Sequence, residues 1–251
     1  MQMTTGKANE SGGERLDLAL VMPAYNEEDC IAGVVSSWLD TLLKQAIRFR
    51  MIVLNDGSTD RTAEVLAGAG KDPRVEIVDK PNTGHGPTIL AGYARAVKAA
   101  DWVFQCDSDN EISPDYFADL WAKREGYDAL FGCRSLRAQP LARRIITIGS
   151  RATVRLLFGR GVVDVNVPYR LIRSSLLEQI IMQIPRNTFA PNVIISGALS
   201  QAGVRIYNQP VRWEFRRTGV VSIARWKLWK SAVRAFWQTM LCRPRVGRRG
   251  E

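Results

Sequence analysis

Three acids stand at every second position where an apolar run stops. The stretch FQCDSDNEISP carries WVFQC into Asp107, Asp109 and Glu111. Like charges at that spacing repel one another, and carboxylates gain nothing from an apolar interior unless something positive meets them. Asp107 and Asp109 flank Ser108 as an acid-x-acid pair. Hard carboxylate oxygens suit Mg²⁺ or Mn²⁺, and Mg²⁺ is commonly held by one or two carboxylates together with substrate phosphates. Glu111 could add a third ligand. The same letters also read as a helix entry, with Ser113 and the acids as caps.

Three further loops carry chemistry-bearing residues. NDGSTD holds Asp56, which reads either as turn chemistry or as an acceptor for the N–H of a nucleotide base. PAYNEE holds Glu27, either a helix-start acid or a ligand contact. In KPNTGHGPT, Gly84 and Gly86 flank His85, the only histidine. A Gly-rich loop of that kind lets backbone amides approach a diphosphate. A loop histidine is equally an ordinary surface residue.

These loops need a frame, and the first half supplies one. Apolar runs at Leu16–Ala24, Arg50–Gly57, Val75–Lys80, Asp101–Asp107 and Tyr127–Gly132 read as strands. Between them, helical spacing predicts helices over Glu27–Ile47, Arg61–Ala69 (capped by Asp60) and Pro87–Ala100. Strands alternating with helices predict a parallel α/β sheet covered on both faces. Ligands of such sheets bind beyond the carboxyl ends of the strands. PAYNEE, NDGSTD, KPNTGHGPT and DSDNE all fall there, so four polar loops converge on one edge. The second half is less regular. It reads as a basic helix over Leu141–Phe158, a short strand and turn over Val162–Ile172, a helix over Phe189–Gln201 and a strand over Val204–Trp213.

Charge divides the chain. Residues 1–132 hold 13 basic and 21 acidic side chains; residues 133–251 hold 22 and four, and 20 of those 22 are arginine. Arginine is the side chain suited to forked recognition of phosphate. Nucleic-acid binding is disfavoured by the acidic half and by the lack of zinc spacing or an RNA-binding aromatic motif. The four cysteines have no CxxC spacing, which speaks for a reduced chain and against a thiolate metal site. No apolar run reaches the roughly 18 residues of a membrane-spanning helix, and the N-terminus lacks an apolar signal region. Residues 1–13 read as a mobile tail, 14–221 as one domain, and 222–251 as a basic, Trp-rich segment.

VMPAYNEE, VLNDGSTDRT, NTGHGPTILAGY and QCDSDNEISP, in that order, resemble the family 2 glycosyltransferases of the GT-A fold. FGCRSLR, RRIITIGSRATVRLLFG, VVDVNVPYRLI and RRTGVVSI resemble the dolichyl- or polyprenyl-phosphate sugar transferase branch. The resemblance spans Asp17 to Ile223. It implies a Rossmann-like, mixed and mainly parallel sheet flanked by helices. It implies that Pro23, Tyr25, Glu27 and Asp56 hold the base and ribose of a UDP- or GDP-linked sugar, with Gly84, His85, Asp107 and Ser108 lining the same site. Asp107, Asp109 and Glu111 would hold Mg²⁺ or Mn²⁺; many relatives carry Gln at the third position. Arg134 would face the acceptor phosphate, helped by Arg143 or Arg144 and by Arg216 or Arg217. Asp109, Arg134 and Asp164 form the expected catalytic set, and single-displacement inversion is the expected stereochemistry.

The acceptor decides whether a base is needed. A hydroxyl must lose a proton to a nearby carboxylate or histidine, whereas a phosphate monoester is already ionised. The second half offers only Asp164, Glu178, Glu214 and Glu251 as acids. Asn192 stands in FAPNVIISG, where hydroxyl-using relatives carry an acid. Polyprenyl phosphate is therefore the expected acceptor. The rivals are a hydroxyl acceptor with Asp164 as base, and a sugar nucleotidyltransferase. The latter is disfavoured because PAYNEE replaces a Gly-rich phosphate loop after the first strand. Trp226, Trp229, Val233, Trp237 and Met240 form one helical stripe beside Lys227, Lys230 and Arg234. Such a helix reads as lying on an anionic membrane surface, giving a cytoplasmic protein held peripherally on the inner face. A helix packed on the domain is the other reading, and a homo-oligomer is left open.

Overall fold

The computed structural model describes residues 15–134, 148–149, 151–152, 155–156, 158–159, 161–212 and 235–247. Seven strands form one sheet in the order β3-β2-β1-β4-β6-β5-β7. They are β1 (Leu16–Ala24), β2 (Phe49–Asp56), β3 (Val75–Lys80), β4 (Ala100–Cys106), β5 (Ala129–Arg134), β6 (Tyr169–Arg173) and β7 (Ile206–Val211). The helices are α1 (Ile31–Leu43), α2 (Thr62–Ala69), α3 (His85–Ala99), α4 (Phe117–Ala122), α5 (Ser174–Ile181) and α6 (Pro191–Gln201).

β1, β2, β3 and β4 run parallel, as the alternation of strand and helix predicts. β6 runs antiparallel to both β4 and β5, so the sheet is mixed rather than all parallel. The consequence for the site is direct. β4 and β5 flank β6 in opposite sense, so they point the same way and end on the same edge. Arg134, the last residue of β5, therefore reaches the edge where β1, β2 and β4 also end.

β4 divides the core between two faces, because successive side chains of a strand point to opposite sides. Phe104 points to the α1 side and packs against Trp38, Phe117 and Tyr169 with ring centroids 5.1, 5.1 and 4.8 Å away. Gln105 points to the α3 and α6 side, where Tyr93 and Asn192 meet it. Central strands β1 and β2 are buried on both faces, which is why they read as unbroken apolar runs.

Several boundaries differ from the sequence reading. The α1 helix starts at Ile31 rather than Glu27 because Glu27–Cys30 form a turn closed by the Cys30 and Ile31 amides on the Glu27 carbonyl. α3 starts two residues before Pro87, whose missing N–H costs nothing in the first turn. The short strand and turn expected over Val162–Ile172 appear as a turn followed by β6. α5 has no counterpart in the sequence reading, whereas α4 follows the helix entry read at Ser113, whose Oγ accepts the Asp115 N–H at 3.2 Å. Of the basic helix expected over Leu141–Phe158, helical residues are described at 148–149, 151–152, 155–156 and 158. The tail at 1–13 lies outside the described residues. So do Trp226, Trp229 and Val233 of the Trp-rich segment, of which residues 235–241 are helical. No helix among the described residues is long and apolar enough to cross a membrane.

Candidate active site

The four polar loops do meet. Pro23, Tyr25, Glu27, Asp56, Asn82, Gly84, His85, Thr88, Asp107, Ser108 and Asp109 line one cleft of about 330 Å³ at the carboxyl edge of the sheet.

The loops after β1 and β2 are tied to each other. The Asn26 amide donates to Ser58 Oγ (3.0 Å), and Asn26 Oδ1 accepts the Thr59 N–H (2.8 Å). The Glu27 amide donates to Thr62 Oγ1 (2.8 Å), and Glu28 Oε2 accepts the Arg61 N–H (2.8 Å). Asn26 takes φ +53°, a left-handed conformation that Asn tolerates better than most residues. Asp60 Oδ1 accepts the Thr62 N–H at 2.9 Å just before α2, whose cap position is Arg61 rather than the expected Asp60.

Asp56 is nearly buried, and its oxygens already have partners. It accepts the Thr83 and Gly84 amides, both at 2.9 Å, and forms a short ion pair with Lys80. Burial alone would raise its pKa; the Lys80 ammonium and the Thr83 amide outweigh that and hold it below the ordinary carboxylate range. Asp56 thus clamps the loop after β3 to the end of β2. Gly84 lines the cleft with its amide engaged by Asp56. Gly86 has to be glycine. A Cβ there would lie 2.3 Å from the Thr188 carbonyl oxygen and 2.4 Å from that of Phe189.

After Cys106 the chain leaves the sheet and presents Asp107, Ser108 and Asp109 to the cleft. Cys30 bridges the first and fourth loops, donating to Glu27 Oε2 (3.2 Å) and to the Ser108 carbonyl (3.6 Å). His85 Nε2 lies 3.8 Å from Asp107 Oδ1, at the amino end of α3. Burial, reinforced by the Asp107 and Asp109 charges, pushes the Cys106 thiol well up, so it is inert.

Of the three expected metal ligands, Asp107 and Asp109 line the cleft. Among the described residues no three acid, histidine or cysteine side chains converge as a metal cluster. Glu111 does not line the cleft, and its amide donates to Asp109 Oδ1 at 3.1 Å, closing a turn. Asp107 and Asp109 remain, facing open volume with the amino end of α3 beside them. Two carboxylates with room for phosphate oxygens fit a Mg²⁺ or Mn²⁺ bound jointly by protein and substrate.

Arg134 and Asp164 form a buried, forked ion pair, Nε to Oδ2 at 2.7 Å and Nη2 to Oδ1 at 3.1 Å. Burial opposes the guanidinium charge, but the Asp164 contacts and the nearby Asp107 and Glu111 charges raise its pKa above the ordinary value. Arg143, Arg144, Arg216 and Arg217 lie outside the described residues.

Sequence reasoning missed the polar support beneath the cleft. Arg170 is fully buried and donates to the carbonyls of Val165, Val167 and Asn192 at 2.7–3.3 Å. It thereby braces the turn that carries Asp164. Asn192, expected where relatives carry a base, is buried and bonded to Gln105. Lys80 and Asn82 were legible only as members of a polar loop. A glutamine inside an apolar run, as in WVFQC, was the one available signal for Gln105.

The model of glycosyl transferase family 2 matches residues 19–181. An undecaprenyl-phosphate 4-deoxy-4-formamido-L-arabinose transferase of Pectobacterium atrosepticum is 28% identical over 179 residues, covering 70% of this chain and 54% of the relative. The enzyme of the same name from Edwardsiella ictaluri is 25% identical over 206 residues, covering 80% and 61%. The chain thus spans somewhat more than half the length of these relatives. Among solved structures, glucosyl-3-phosphoglycerate synthase from Mycobacterium tuberculosis, in complex with Mn²⁺, UDP and glucosyl-3-phosphoglycerate, superposes with a TM-score of 0.64. It is 18% identical, over 90% of this chain and 79% of that one, a likeness of fold.

Proposed function

The chain belongs to glycosyl transferase family 2, and from that premise we propose that it moves a sugar from a nucleoside-diphosphate sugar to a polyprenyl phosphate. The observation that carries the acceptor is the Arg134–Asp164 pair. A hydroxyl acceptor needs a free carboxylate to take its proton, and both oxygens of Asp164 are occupied by Arg134. A phosphate monoester needs no base but does need a fixed guanidinium, and Asp164 fixes Arg134. The names of the relatives support the same acceptor class.

In this reading Pro23, Tyr25 and Glu27 receive the nucleoside, while Asp56 keeps the loop over it in place. The amino end of α3 and His85 face the diphosphate. Asp107 and Asp109 would hold Mg²⁺ or Mn²⁺, which when bound neutralises charge on the departing diphosphate. A phosphate oxygen of the acceptor, held by Arg134, attacks the anomeric carbon from the face opposite the leaving group. The new C–O bond forms as the bond to the nucleoside diphosphate breaks, so the anomeric configuration inverts. No proton is transferred.

A lipid acceptor asks for a surface that meets a bilayer. Phe236, Trp237 and Leu241 are exposed on the helical residues 235–241, next to exposed Met182 and Phe189. The Phe189 amide donates to Gln238 Oε1 at 2.8 Å, and Cys242 Sγ donates to the Gln183 carbonyl at 3.6 Å, so these side chains belong to one region. Exposed Arg186, Arg243 and Arg245 accompany them. Aromatic side chains with flanking cations suit an anionic lipid interface, and the Phe189 loop is the one packed on Gly86 at the cleft.

Incubation with Mn²⁺, a panel of labelled nucleotide sugars and a short polyprenyl phosphate tests the proposal. Butanol-extractable labelled lipid is expected. Nucleotide-sugar hydrolysis with no lipid product from any donor would overturn it.

A further inference from the structure

We infer that Gln105 is a positioning residue for Asp107, its amide turned toward the carboxylate by Tyr93 and Asn192 on the α3 and α6 face of the sheet. The inference rests on the cation-binding role proposed for Asp107. Gln105 is fully buried in β4, and Asp107 follows two residues on, just past the end of the strand. Gln105 Oε1 accepts from the Tyr93 hydroxyl at 2.8 Å and from Asn192 Nδ2 at 2.9 Å. With two donors on its oxygen, the amide must present nitrogen on the other side, where Nε2 donates to Asp107 Oδ1 at 3.4 Å. The opposite orientation would set an amide oxygen against a carboxylate oxygen and turn the Gln105 and Asn192 amide donors on each other, while the Tyr93 hydroxyl, 3.2 Å from Asn192 Oδ1, could donate there instead.

The relay has a fixed base. Arg170 sits directly across from Gln105 in the β4–β6 ladder and stacks over the Phe131 ring at 5.3 Å. Its Nη1 donates to the Asn192 carbonyl at 3.1 Å, pinning the first turn of α6. Tyr93 comes from α3, whose amino end faces the cleft. The strand end with Asp107 and the two helices on that face are thereby locked through one buried amide. A glutamine in a central strand loses side-chain entropy and must have all its polar atoms satisfied. Orienting the carboxylate one step nearer the solvent gives that arrangement a function. One Asp107 oxygen takes the amide, which biases the carboxylate to present its other oxygen to the cleft.

The test uses the full chain and Mn²⁺ with UDP and, separately, with GDP, reading free Mn²⁺ by electron paramagnetic resonance alongside the thermal unfolding midpoint. Gln105→Met removes the donor. Asn192→Asp replaces the donor on Oε1 by an acceptor, so the amide turns and presents oxygen to Asp107. Tyr93→Phe removes one bond of the same network but leaves Asn192 to set the orientation. We expect about tenfold weaker Mn²⁺ binding in Gln105→Met and Asn192→Asp, and binding within about twofold of wild type in Tyr93→Phe, whatever the order of their unfolding midpoints. Wild-type Mn²⁺ binding in Gln105→Met, or in Asn192→Asp should Gln105→Met not fold, overturns the inference and leaves the proposed function standing. Losses that follow the unfolding midpoint across all three variants also overturn it, because that pattern belongs to a structural role. Absence of Mn²⁺ binding by the wild type with either nucleotide overturns the proposed function and this inference with it.

Discussion

The guanidinium of Arg134, at the end of β5, and the carboxylate of Asp164, in the turn before β6, face each other in a two-bond fork, 2.7 and 3.1 Å. Asp164 also sits within 3.4 Å of the Arg134 backbone amide, so it constrains the end of β5 as well as its side chain. An acid bound this way orients a cation and is poorly placed to take a proton.

Asp164→Asn replaces one acceptor oxygen by a donor and breaks one arm of the fork. Hydrogen bonds to charged groups contribute about 1.5–3 kcal/mol. The KM for the phosphate acceptor should therefore rise about ten- to a hundredfold, with donor binding unchanged and measurable turnover retained. Steady-state kinetics with separate donor-binding titrations check this. Complete loss of turnover with donor binding intact would make Asp164 the base.

Asp109→Ala should remove metal-dependent transfer, lowering kcat/KM by about a hundredfold or more, with the fold intact by circular dichroism. Glu111→Gln should change kcat/KM by less than about threefold, because Glu111 does not line the cleft and its amide bond to Asp109 survives the substitution. Comparable losses in both variants would restore Glu111 as a third ligand.

Gly86→Ala forces a methyl group into the Thr188 and Phe189 carbonyls, at 2.3 and 2.4 Å. Both contacts are backbone and cannot rotate away. Overpacking of this kind costs about 1–3 kcal/mol, and a lower midpoint in thermal denaturation is the expected result. An unchanged midpoint would mean that the 188–189 segment yields freely.

The acid limb of stability should depend on Asp56. Its folded pKa is lowered from 3.8, so the unfolded chain binds more protons than the folded one near that value. The stabilisation is present in full above pH of about 4 and is lost as pH falls through the lower, folded pKa. Urea midpoints from pH 3 to 6 should fall less steeply in Asp56→Asn than in wild type. Parallel curves would place the clamp's contribution elsewhere.

Trp237→Ala combined with Leu241→Ser should reduce co-sedimentation with vesicles containing anionic lipid by several-fold. Raising the salt should weaken wild-type binding, since exposed charges are screened within about 10 Å at 0.1 M. Equal sedimentation of variant and wild type at low salt would remove this face from the lipid contact.

The sequence by itself determined the first half of the sheet and the loops at its edge. Unbroken apolar runs such as LALVMPA belong only to strands buried on both faces, and the loops between strand and helix must emerge at one end of a parallel sheet. Asp107, Asp109, Glu27 and His85 were legible because their neighbours in sequence are their neighbours in space. Tertiary structure alone decided the rest. The reversal of β6, which brings Arg134 to the same edge, depends on which strand slots between β4 and β5, a choice no local pattern encodes. Asp164 meets Arg134 across 30 positions of sequence, and Asn192 meets Gln105 across 87. The Glu111 amide closes a turn on Asp109 Oδ1, a contact that the alternating acids alone do not announce. A residue type states what a side chain can bind; only packing states which partner reaches it first and leaves it committed.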